Sequence, residues 1–122
     1  MAQQNLDKAS FHRMDKSTKA DWDLISRHLD KERNGLAGRI LDHLKLLDGE
    51  CGFAVSRLEH SLQTATYALN AGKDEEYVVC ALLHDLGDTL GAYNHADIAA
   101  AVLKPFVSEK NHWIVAHHAI FQ

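Results

Sequence analysis

The segment Tyr77–Leu83 would be apolar on every side of a helix, and it ends at two adjacent ionisable residues, His84 and Asp85. A helix that is apolar all round is buried, because none of its faces suits water. Charged groups at the edge of a core are costly unless they are paired or bound to a metal ion. The sequence therefore predicts a buried helix whose C-terminal end carries a polar site.

The rest of the chain shows helical periodicity, and no alternating pattern indicates a strand. We predict an all-α bundle of about six helices. Capping residues and glycines set the boundaries. The predicted helices run from Thr18 to about Glu32, from Leu36 to about Asp48, from about Ala54 to Ala71, from near Asp74 to His84, from Asn94 to before Pro105, and onward from Ser108.

Length and composition favour one globular domain. The chain has 122 residues, of which 46% are apolar and 25% charged, with a net charge of -4. These values give no sign of binding to nucleic acid or to membranes, and a small-molecule substrate is the expected partner. Residues 1–16 are polar and predicted to be loose, and residues 17–122 are predicted to form a single helical domain. Two cysteines and the lack of a leader or spanning segment predict a cytoplasmic protein.

Five ionisable residues fall where four separate helices could bring them together: His60, His84, Asp85, His95 and His117. Imidazole and carboxylate ligands together suit zinc, iron and manganese. Helical bundles build dinuclear sites from such inward-facing side chains. One carboxylate can bridge two cations, and Asp85 is the good candidate for that bridge. The pattern therefore predicts a metal site.

Several of these residues also have an ordinary structural interpretation. His60 alone, on a polar helix face, would usually be solvated, and His95 could be an ordinary first-turn residue. His117 and His118 point about 100° apart on a helix, so at most one of them is expected to be a ligand. Asp88 fits a loop carboxylate or one that supports a ligand. Three aromatic residues fit a core better than a substrate platform: Tyr67, Trp22 and Trp113.

The segment Cys80–Asp88 reads Cys-Ala-Leu-Leu-His-Asp-Leu-Gly-Asp and follows a histidine one helix upstream. This order resembles the HD superfamily of metal-dependent phosphohydrolases, over roughly residues 50–122. The fuller order of histidines resembles the dinuclear branch of that superfamily. Residues 53–65 and 94–100 are similar to the phosphonate-cleaving HD oxygenases and, more distantly, to myo-inositol oxygenase. The chain also resembles uncharacterised bacterial proteins described as predicted HD phosphohydrolases.

The resemblance implies a ligand set and a metal. His60, His84 and Asp85 would be ligands of one metal ion, with His84 and Asp85 as the catalytic pair. Asp85 would bridge to a second ion held by His95 and His117. His117 is preferred to the histidine that follows it, because the family's histidine follows an apolar turn. The oxygenase branch implies two iron ions; manganese, magnesium and zinc are the alternatives.

Three departures from the family pattern bear on completeness and substrate. The superfamily closes its site with an aspartate on a later helix, and no aspartate follows His118. This implies that the C-terminal part of the domain is missing, and it leaves an apolar cut end through which copies of the chain could associate. The oxygenases have a basic residue where this chain has Asp88. Their later lysine corresponds to Phe121, and their upstream tyrosine and glutamate correspond to Glu50 and Phe53.

Three functions follow as hypotheses from these features. The first is a dinuclear iron oxygenase that acts on a small polar, phosphonate-like molecule. The second is a metal-dependent phosphohydrolase, against which the lack of nearby lysine or arginine counts, because an anionic substrate lacks an obvious basic clamp. The third is a truncated, non-catalytic HD domain.

Overall fold

The computed structural model describes residues 8–121, and this part of the chain is all-α, as predicted, with six α-helices and no strand. The helices are α1 (Lys19–Asn34), α2 (Leu36–Leu44), α3 (Arg57–Asn70), α4 (Glu75–Leu83), α5 (His95–Leu103) and α6 (Glu109–Ala116). Short 3-10 turns precede α1 and follow α2, α4, α5 and α6. The predicted loose segment, residues 1–16, lies partly outside the described residues. No described helix combines the length and the apolar character needed to cross a membrane.

The chain divides into two compact units, residues 1–40 and residues 41–122. In the first unit, α1 begins with the capping box that the sequence predicts: Asp21 N donates to Thr18 Oγ1 (3.2 Å), and Thr18 N donates to Asp21 Oδ2 (3.0 Å). The bond from the Thr18 backbone is the main reason that the pKa of Asp21 lies below its usual value. A single domain over residues 17–122 stays a prediction.

In the second unit, α3, α4 and α6 each begin with a side-chain cap on a backbone N–H three residues ahead. The capping oxygens belong to Ser56 (3.1 Å), Asp74 (2.9 Å) and Ser108 (3.2 Å). Ser56 explains why α3 begins at Arg57 rather than near Ala54 as predicted, because its hydroxyl satisfies a free donor of the first turn. These caps fix where three site-bearing helices begin.

The core of the second unit forms where α3 packs on α4, α6 packs on α4 and α5, and α5 covers the 3-10 turn Leu86–Thr89. Gly87 lies in that turn, and a Cβ there would come within 2.6 Å of the His95 carbonyl oxygen. Small and branched apolar side chains fill the core: Leu44, Leu47, Ala68, Cys80, Leu83, Leu86, Ala96, Ala99, Ala100, Leu103 and Val115. The core thus adjoins the C-terminal end of α4, where His84 and Asp85 lie.

Three aromatic residues predicted to be core are exposed instead. Trp22 is 41% exposed, Trp113 52% and Tyr67 72%. The prediction from hydrophobicity alone was wrong for them; on α3, the small residue Ala68 and not its neighbour Tyr67 fills the interior. Tyr67 and Trp113 reappear below as lining of a cavity.

Candidate metal centre

Asp85 lies at the centre of a cluster of four histidines. Its Oδ2 is 3.2 Å from Nε2 of His84 and 3.5 Å from Nε2 of His60. Its Oδ1 is 3.1 Å from Nε2 of His118 and 3.4 Å from Nε2 of His95. Each carboxylate oxygen therefore faces its own pair of imidazoles.

The two pairs are also close within themselves. Nε2 of His60 is 3.1 Å from Nε2 of His84, and Nε2 of His95 is 3.2 Å from Nε2 of His118. With Asp85, each pair forms a group of three ligand atoms within 4.8 Å of one another. Two three-ligand groups that share one carboxylate match the donor pattern of a bridged dinuclear site.

Four elements deliver these side chains. His60 projects from the first half of α3, and His84 is the C-cap of α4. Asp85 follows with φ -103° and ψ 12°, where the chain leaves the helix and enters the 3-10 turn. His95 begins α5, and His118 begins the 3-10 turn after α6. The site therefore sits where helix ends converge, and His84 and Asp85 are buried there.

Three of the histidines are oriented in the same way. The Nδ1 atom of each lies near the carbonyl oxygen of the residue three positions earlier. The pairs are His84 with Ala81 (2.6 Å), His118 with Val115 (2.7 Å) and His95 with Ala92 (3.3 Å). A carbonyl oxygen only accepts, so Nδ1 donates, and in the neutral ring Nε2 keeps its lone pair. Such bonds fix the ring and the tautomer of metal-binding histidines.

This arrangement fits a cation. Lone pairs on neighbouring Nε2 atoms repel one another and the Asp85 carboxylate unless positive charge lies between them. Burial alone would raise the pKa of Asp85, but its contacts with the imidazoles of His118 and His84 outweigh burial and hold that pKa well below its usual value. The bond to Asp85 raises the pKa of His118. Asp85 thus draws positive charge to the site, either as a proton on His118 or as a metal ion.

The structure brings together four of the five residues that the sequence predicts as ligands, and it replaces the fifth. His118, and not His117, faces Asp85. α6 ends at Ala116, and His117 adopts φ -110° and ψ 7° as its C-cap, so the continuous helix assumed for the pair does not exist. His117 instead stacks on Trp113, with ring centroids 4.3 Å apart. His118 therefore takes the position beside Asp85 that the sequence prediction gave to His117, and a metal-binding role for either histidine stays a prediction.

Sequence reasoning also missed Arg57. Its Nη1 lies 3.3 Å from Asp88 Oδ2, and Asp88 Oδ1 lies 3.6 Å from Nδ1 of His95. Asp88 is thus the supporting carboxylate that one interpretation of the sequence allowed. The available signal was the spacing of Arg57 and His60, because residues three apart share a helix face. The Nε of Arg57 is buried and has no hydrogen-bond partner among the described residues.

A comparison with protein-family models shows which family the chain belongs to. The family model described as "HD domain" matches residues 57–122, which is more than half of the chain. The chain belongs to the HD domain family. No curated protein matches the chain closely enough to count as a relative. The matched region contains the whole Asp85 cluster, so the HD domain here carries one aspartate and four histidines in two groups that could each hold a metal ion.

A cavity of about 540 Å³ opens against this cluster between α3, α4 and α6. Its histidine end is formed by His60, His84 and His118. Its lining also includes Tyr67 and Trp113, two of the exposed aromatic residues, so both border space that a ligand could fill. The volume lies within the range of pockets that bind small molecules.

Proposed function

We propose that this HD domain holds two metal ions, one on each side of Asp85, and acts as a dinuclear metalloenzyme. One observation carries the proposal: the two oxygens of a single buried carboxylate face two different histidine pairs. A lone metal site would need only one of these pairs. His60 and His84 would hold the first ion with Asp85, and His95 and His118 would hold the second.

The donor set favours an oxygenase that uses iron. Four imidazoles for one carboxylate suit iron or zinc better than magnesium, which prefers oxygen ligands. When bound, two iron ions supply Lewis-acid and redox chemistry. The chain's part is to orient the imidazoles through their Nδ1 bonds and to provide an apolar cavity wall beside the reacting group.

A metal-dependent phosphohydrolase is the second candidate, and the match to the HD domain model favours it. The surroundings of the cluster favour it less. Arg57 already faces the Asp88 carboxylate, so its charge is partly neutralised. A phosphate at the histidine end would rely on the metal ions themselves for charge balance.

Metal analysis of the purified protein tests the proposal. We expect about two ions per chain, because the cluster offers two groups of three ligands. Iron together with substrate-dependent uptake of dioxygen would support the oxygenase. Zinc, manganese or magnesium together with hydrolysis of phosphoesters would support the second candidate.

The variant Asp85→Asn should lose both ions, because the amide gives up the bridging charge. The exposed Asp97 on the same helix as His95 provides a control, and Asp97→Asn should keep the metal content of the unaltered protein. Absence of bound metal after loading with iron, zinc and manganese in turn would reject both candidates.

A further inference from the structure

The cavity has two ends that are separated by the same number of residues along each of three chain segments that line it. The histidine end contains His60, His84 and His118. The far end contains Tyr67, Tyr77 and Asn111, each seven residues from one of these histidines. Seven residues of α-helix rise about 10 Å, which gives the separation of the two ends along α3 and α4. The cavity is therefore about 10 Å long, and it has distinct ends.

Lys73 supplies a positive charge at the far end. It is the one lysine or arginine among the described residues that line the cavity, and its Nζ lies 5.2 Å from the centroid of the Tyr77 ring. Gly72, with φ +78°, ends α3 and turns the chain so that Lys73 N donates to the Ala68 carbonyl (3.1 Å). A hydrogen bond thus holds the backbone of Lys73, and its side chain lies at the far end of the cavity.

The acidic residues near Lys73 are engaged outside the cavity lining. Asp74 caps α4 through the Tyr77 N–H. Glu76 accepts hydrogen bonds from Asn111 Nδ2 (2.5 Å) and from Ser108 N (3.3 Å). Neither carboxylate lines the cavity. Lys73 is therefore the charged side chain that a ligand would contact at this end of the cavity.

The wall between the two ends is apolar. Small and branched side chains line it: Ala68, Ala81, Ile114 and Val115. Cys80 completes this wall, and burial raises the pKa of its thiol to about 11, so it adds no charge at neutral pH. A ligand body that lies along this wall gains free energy by leaving water only if the body is itself apolar.

We propose that the substrate is an elongated amphipathic acid, with its reacting polar group at the histidine end, an apolar body along the wall, and an anionic group at Lys73. The anionic group is a carboxylate or a phosphate. This inference rests on the proposed function, because the metal site defines which end reacts. Lys73 thus offers an anion a basic group at the end of the cavity opposite the HD motif.

A homologous series of straight-chain acids with a terminal hydroxyl provides the probe. An extended chain advances about 1.2 Å per covalent bond, so a chain of about eight carbons spans the cavity. The acids are titrated calorimetrically into protein loaded with zinc, whose lack of redox chemistry prevents oxidation. We expect an affinity maximum near that length. Alcohols of the same length without the carboxylate serve as controls, and hydroxyalkyl phosphates show which anion is preferred.

Lys73→Met should weaken binding of the best acid about tenfold, the worth of one charged hydrogen bond, and should leave binding of the matched alcohol unchanged. Lys73→Arg should restore the difference in binding affinity between the acid and the alcohol. Lys110 is an exposed lysine of α6 outside the cavity lining, so Lys110→Met should change neither the affinity for the acid nor that for the alcohol.

A flat dependence on chain length, or an equal loss for acid and alcohol in Lys73→Met, would overturn the inference. If the protein binds zinc but no member of the series, the inference fails while the metal site stands. If the protein binds no zinc, the proposed function itself fails.

Discussion

At the scale of single residues, the backbone conformation of His117 determines which of two adjacent histidines faces Asp85. His117 leaves the helical conformation, donates from Nδ1 to the Trp113 carbonyl (2.8 Å) and stacks on that ring. His118 then points back to Asp85. Helical periodicity predicts that only one of the two can face the site, but it cannot say which, because the choice depends on where α6 ends.

These neighbours form a matched pair for mutation. His118→Ala should lower the metal content by about one ion per chain, because it removes one of three ligands on the Oδ1 side of Asp85. His117→Ala should keep the full metal content and lose only the contact with Trp113. Elemental analysis of both variants after loading with zinc measures the difference. Equal metal loss in the two variants would contradict the placement of His118.

At the scale of elements, the packing of α5 on the turn after the HD pair depends on the missing side chain of Gly87. A Cβ there would meet the His95 carbonyl oxygen at 2.6 Å and Ile98 Cβ at 2.7 Å. Both atoms belong to α5, and one is rigid backbone. The close approach of turn and helix brings His95 within reach of Asp85, so this glycine links the packing of two elements to the geometry of the site.

Gly87→Ala should therefore destabilise the protein by about 1–3 kcal/mol, the usual cost of overpacking. It should also weaken binding of the second ion, because α5 must shift. Gly38→Ala is the control of opposite sign: Gly38 lies inside α2 with open space around it, so alanine should stabilise by about 0.5–1 kcal/mol. Chemical denaturation measures both. Stability of Gly87→Ala equal to that of the unaltered protein would contradict this account.

The elements also show what the sequence could predict. The capping box of Thr18 and Asp21 is a local pattern, and the structure reproduces it. The sequence predicts that α3 starts near Ala54, whereas it starts at Arg57. The residues before Ser56 also have helix propensity, so the boundary is set by the cap at Ser56. The pairing of Arg57 with Asp88 and the position of Lys73 at the cavity join segments distant in sequence. Such contacts depend on packing, which periodicity does not encode.

At the scale of the whole second unit, we expect metal binding and stability to be coupled through the five residues of the Asp85 cluster. Four elements contribute to the cluster, and its histidines and Asp85 replace what could have been apolar contacts at the edge of the core. A group of buried polar side chains stabilises a fold only when its charges and lone pairs are satisfied. A metal ion that binds the folded chain and not the unfolded chain therefore adds its binding free energy to the stability of the fold.

Removal of metal should accordingly lower the melting temperature. At free zinc about 100-fold above the dissociation constant, linkage adds about 2.7 kcal/mol, which corresponds to about 10 °C in a domain of this size. Scanning calorimetry with zinc and with excess chelator measures the difference. Asp85→Asn should show almost no difference between the two conditions, since it lacks the bridging charge, whereas Asp97→Asn should behave like the unaltered protein. A zinc-dependent shift that survives in Asp85→Asn would place the ion elsewhere on the chain and would contradict a centre built on Asp85.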